Sequence, residues 1–133
     1  MRFLAFSSYL LVTFLVQAAE GVPIFENQIS GIFNRKCGKC HGANVQKGGL
    51  NLSTMKGIYQ GGESEESVLG EGLKDSLLWK MISTGKMPPD DHPRLTETEE
   101  GLIRRWVETG AKSSMPAVVS EKKINQHDIL PIV

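Results

Sequence analysis

A chain of 133 residues has room for one small domain and not comfortably for two. Lysine plus arginine balances aspartate plus glutamate at 15 each, so the formal net charge is zero. Nothing in that balance marks a polyanionic partner, which sets nucleic acid aside. Apolar residues make up 40%, an ordinary globular value inflated by the first sixteen positions.

Those positions, MRFLAFSSYLLVTFLV, carry one early cation, Arg2, and then a long apolar run. Ala18, Ala19 and polar Glu20 follow, which is the layout of a secretory signal peptide over residues 1–19. The alternative is a retained membrane anchor, but the run is shorter than the roughly 20 residues a bilayer span needs. No later segment could span a membrane, so the expected mature chain is exported, periplasmic or otherwise outside the cytoplasm. It has no stable membrane span once the leader is removed.

From Val22 to Lys36 the pattern predicts a first helix, with Pro23 at N1 and Phe25, Ile29, Ile32 and Phe33 on one face. Gly38 to Gly72 is glycine-rich and reads as loops that take their order from something they wrap, apart from a turn or so near Ser53 to Tyr59. Asp75 to Thr84 predicts a helix capped by Asp75 or Ser76. Its apolar face is Leu77, Leu78, Met81 and Ile82, and Gly85 is its stop. Met87-Pro88-Pro89 should be extended, because proline restricts the residue before it. The last helix is expected from about Glu97 to Thr109. Thr96 and Glu99 form its capping box, Leu102, Ile103, Trp106 and Val107 face inward, and Gly110 closes it. Residues 112–133 read as a tail or linker, leaving 20–111 as the domain.

The only two cysteines lie in Cys37-Gly38-Lys39-Cys40-His41. A dithiol redox pair normally opens a helix after a strand in a βαβ pattern, and the sequence offers no such strands. A zinc site needs four ligands. Cys37, Cys40 and His41 are too crowded to serve together, and His92 and His127 lie in proline-flanked or tail segments. The third chemistry is covalent haem attachment. Each thiol adds to one porphyrin vinyl group, one helical turn sets the sulfurs at the vinyl separation, and the next residue places its imidazole under the ring as proximal iron ligand. A large apolar macrocycle would also supply the buried area that a small, loop-rich chain lacks. For the sixth position the candidates are Met55, Met81, Met87, Met115, His92 and His127. Met81 reads as core filler, and His92, between Asp90-Asp91 and Pro93, reads as part of an exposed turn. Met87 stands out: it lies between two helices, is stiffened by two prolines, and follows His41 by 46 residues. His/Met ligation suits the passage of single electrons rather than catalysis.

An N-terminal helix, Cys-x-x-Cys-His, a late methionine loop and a closing helix together resemble the class I cytochrome c fold. In that family an aromatic four residues before the first cysteine packs on an aromatic of the last helix, and Phe33 and Trp106 match those positions. The small residue usual four further back is Ile29 here. The ordered stretches CGKCHG, KGGLNL, GGES, DSLLWKMI, GKMPP and LIRRWVETGA, within residues 33–111, resemble the planctomycete-type cytochrome c domain. Where that family usually has a Pro-Gly turn before the Ser-Leu-Leu helix, this chain reads SVLGEGLKDSLL. The resemblance implies an all-α, cytochrome c-like fold of three to four short helices and long loops wrapped around one covalent haem c. Cys37 and Cys40 would be the thioether positions, His41 the proximal ligand and Met87 the distal one. The family also has tandem domains, and INQHDILPIV resembles the lead-in to another.

The expected function is that of an exported monohaem cytochrome transferring single electrons between redox partner proteins, after loading by haem-maturation machinery. Lys36, Lys39 and Lys47 would be available to steer an acidic partner. Two rivals remain. One is a haem electron-transfer module of a larger secreted redox or hydrolytic enzyme. The other is a five-coordinate peroxidase or gas sensor, should Met87 not bind.

Overall fold

The computed structural model describes residues 21–115. The expected leader and everything past Met115, including His127, lie outside those residues. Among the described residues the chain is helical and forms no strand; a single β-bridge joins His41 to Gln46. No described helix is long and apolar enough to cross a membrane.

The first helix begins differently from expectation. Phe25–Ile29 is π-helical and runs into α1, Ser30–Lys36. Pro23 lies ahead of the N-cap, Ile24, and is buried instead of opening the helix. The later start follows from local capping: the Gln28 side-chain oxygen accepts the Ile24 N–H at 2.8 Å, taking one of the donors a helix start leaves open. The predicted face is as expected, with Phe25, Ile29, Ile32 and Phe33 all buried. A kink at Cys37 then leads into α2, the single turn Gly38–His41.

Past a short 3-10 turn at Lys47–Gly49, α3 spans Met55–Gln60 and is capped by the Thr54 side chain. The next helix, α4, covers Leu77–Ser83; its cap is Ser76, whose hydroxyl accepts from Trp79 N at 3.2 Å and donates to Val68 O at 2.9 Å. Two further orphan donors of this helix, Leu77 N and Leu78 N, reach Ser67 O and Val68 O at 3.0 Å each. The acidic loop before α4 is thereby pinned to its first turn. The capping box of Thr96 and Glu99 opens α5, Glu97–Glu108, as the sequence predicts.

α1 and α5 meet through rings. Phe33 stands edge-on to Trp106 with centroids 5.9 Å apart, and Phe25 packs on the same indole at 5.9 Å. The indole N–H donates to Lys112 O at 2.9 Å, and Phe25 N donates to the same carbonyl. Just beyond, Ser113 Oγ and Ser114 N donate to Glu26 at 2.6 and 2.8 Å, tying residues 112–114 to the first helix. The Ser113 hydroxyl, aided by Ser114, outweighs the cost of burial and lowers the Glu26 pKa to about 2. A folded value below the unfolded one means stability that is present above the unfolded value of 4.5 and is lost as pH falls towards about 2. Glu26→Gln should therefore narrow the difference in melting temperature between pH 6 and pH 3; an unchanged difference would show that the clasp contributes nothing.

Candidate functional site

α2 and the Cys37 that caps it present Cys37, Cys40 and His41 to a cavity of about 640 Å3. The turn is built by Cys40 N and His41 N, both donating to Cys37 O at 3.0 and 2.8 Å. Its carbonyl end is held from outside by Leu52 N, which donates to His41 O at 2.8 Å. Gly42 follows because a Cβ there would lie 2.3 Å from Gly38 O, inside contact distance. The apolar side chains of Leu50, Leu52, Val68, Leu78 and Ile82 line the space with Met87 and Pro88. At Gly62 the chain passes so near Gly48 O that a Cβ would sit 2.4 Å away, which lets Glu63 N reach that carbonyl at 2.8 Å and close the acidic side.

Both cysteines are free and partly buried. Burial, with the Glu99 carboxylate adding to it, pushes the Cys37 thiol up to about 11. A thiol held protonated at neutral pH is a poor start for the thiolate exchange that a dithiol redox pair performs. His41 Nδ1 is buried with no hydrogen-bond partner among the described residues.

The structure brings Cys37, Cys40, His41, Met81, Met87 and His92 to one cavity; Met55 packs at the edge of the core instead. Met87 is 41% exposed, at the mouth, and its N–H donates to Met81 O at 3.0 Å. The Met87–Pro88 peptide is cis and the chain bends there, so this segment is not the plain extended stretch expected from its prolines. Two expectations need correction. Met81 reads as core filler from its spacing, yet it and Leu77 border the cavity and are only partly buried, while Leu78 and Ile82 line the same cavity and are buried. His92 lies in the expected turn, its N–H donating to Pro89 O at 2.9 Å, but its side chain borders the cavity instead of standing in solvent. Arg94 folds residues 85–94 back on themselves by donating to Gly85 O and Pro88 O at 2.9 and 2.7 Å and pairing with Asp90. Asp90 and Asp91 stay outside while the His92 side chain, 18% exposed, lies on the cavity wall. Its Nε2 is 4.0 Å from Cys40 Sγ. No single motif announces that placement, because Arg94 grips loop carbonyls six and nine residues earlier, beyond the end of α4.

Lys36 is also not a free cation. Its ammonium donates to Arg94 O at 2.7 Å and lies 3.4 Å from Glu99. Burial works against ionisation of Glu99, but the Thr96 N–H, Arg35 and Lys36 together hold its carboxyl below the usual range.

The donor set fits a c-type haem. Two unpaired thiols and an imidazole share one helical turn, the facing surface is apolar, and a thioether side chain stands at the mouth. These are the features a cytochrome-type haem protein requires. Residues 37–91 match the family model described as Planctomycete cytochrome C, the family that the sequence motifs resemble. That match implies haem c as the cofactor and points to an electron carrier rather than an enzyme. No curated protein and no solved structure matches the chain.

Proposed function

We propose that this chain is an exported, monohaem c-type cytochrome with a cytochrome c-like fold, passing one electron at a time between redox partner proteins. The observation that carries the reading is the apolar cavity of about 640 Å3 with Cys37, Cys40 and His41 in its lining. Cys37 and Cys40 would tether the group through thioethers, His41 would be its proximal ligand and Met87 its distal one. A haem held this way supplies a reversible one-electron couple, and a His/Met pair sets it at a higher potential than two histidines. Leu52, Leu78 and Ile82 would shield it from water, and the exposed Met87 would leave the cavity mouth within reach of a partner. With Lys36 engaged, steering of an acidic partner falls to the exposed Lys39 and Lys47. The leader-like first nineteen residues support export, since thioether attachment is made outside the cytoplasm.

Met87→Ala tests the assignment. Protein matured in a host with haem-attachment machinery should give a two-thioether pyridine haemochrome with or without the substitution. The red Met-to-iron band of the ferric form should be present in the parent and absent in the variant. A band that survives the change assigns the sixth position elsewhere.

A further inference from the structure

We propose that His92, oriented by Asp91, is a proton-binding site coupled to the redox state of the group in the cavity. On this view an electron gained there is accompanied by uptake of a proton at the imidazole. The inference rests on the reading of the chain as a haem protein.

The ring is held in a defined way. Nδ1 lies 2.9 Å from Asp91 Oδ1, and because an ionised carboxylate only accepts, the Nδ1–H must donate to it. Nε2 therefore carries the lone pair of the neutral ring and is where a proton would add. That atom faces Cys40 Sγ at 4.0 Å, at the edge where the porphyrin would be joined to the chain. With 18% of its side chain exposed, His92 is shielded enough for a charge in the cavity to act on it strongly, yet still open to water for proton exchange.

Lys36, Lys39, Lys47, Glu63, Glu66 and Asp91 are the charged groups that line the same cavity. Asp91, the carboxylate on its own loop, is kept ionised because the hydrogen bond and charge of His92 hold its pKa below the usual range, with a smaller contribution from Lys39 of α2. Arg94 and Asp90 satisfy each other, and Lys36 of α1 is occupied by Arg94 O and Glu99. Cys40 would be a neutral thioether. The sign then follows from Coulomb's law. An electron delivered by a reduced partner lowers the positive charge beside the ring, so the imidazolium is favoured in the reduced state. One electron enters, one proton comes from water, and the N–H at Nε2 is the only bond formed. The reduction potential should fall as pH rises through the window between the two proton affinities and be level outside it. A tenfold difference in affinity between the redox states corresponds to a total span of about 59 mV.

The test is a spectroelectrochemical titration of the matured protein from about pH 5 to 8, where histidines titrate. His92→Gln and Asp91→Asn are measured alongside, with pyridine haemochrome content established for each. Expected are a sloping potential in the parent, a level one in His92→Gln, and a window moved to lower pH in Asp91→Asn, which loses the charge favouring imidazolium. A level profile in haem-loaded parent protein, or a slope that persists in His92→Gln, overturns the proposal and leaves the cytochrome reading intact. An unmoved window in Asp91→Asn overturns the part assigned to Asp91. A parent protein with no covalent haem overturns the cytochrome reading as well.

Discussion

Cys37→Ser with Cys40→Ser is expected to give a chain that keeps no haem through a denaturing gel, whereas the parent stays haem-stained at the mass of the polypeptide. The physical reason is the difference between tethered and dissociable binding. A thioether does not come apart when the fold does, while serine hydroxyls form no such bond and leave only the axial contacts and apolar packing. A second readout follows from mass action, because anything that binds the folded state alone stabilises it. Here the walls at Leu50, Leu52, Val68 and Leu78 enclose about 640 Å3 that the chain's own side chains do not fill. The double variant should therefore also lose most of its resistance to thermal unfolding. Each single substitution should leave one tether and an intermediate result. A double variant that keeps the stain would remove Cys37 and Cys40 from the attachment.

Trp106→Ala should cost about 3–5 kcal/mol of folding stability, the range for truncating a large buried aromatic. Trp106 has no exposed surface, touches both Phe25 and Phe33 at 5.9 Å, and donates its indole N–H to Lys112 O. Removing it empties the crossing of the first and last helices and strands a carbonyl that then keeps only the Phe25 N–H. Trp106→Phe separates the two terms, since it restores most of the volume and none of the hydrogen bond. It should recover the greater part of the loss in a urea melt. A cost below about 1 kcal/mol for Trp106→Ala would show that the crossing is held elsewhere.

The attachment turn, the capping of α4 and α5 and the inward face of the first helix could all be read from the sequence. Each signal is local. A cap is a hydroxyl within three residues of the donor it satisfies, as with Thr96 and Glu99, and a buried face is a 3.6-residue period, as with Phe25, Ile29, Ile32 and Phe33. Cys-x-x-Cys-His is likewise complete within one turn.

What only the tertiary structure decided is which way side chains of similar character point, and which cations are already in use. Met81 and Ile82 belong to one apolar face by spacing and both line the cavity, yet Ile82 is buried and Met81 only partly so. His92 is turned inward by a guanidinium that closes on carbonyls six and nine residues earlier, and Lys36 is drawn to Arg94 O, 58 positions away. Such contacts are set by the packed arrangement of whole elements, a free energy summed over distant pairs, and no window of neighbouring residues contains it.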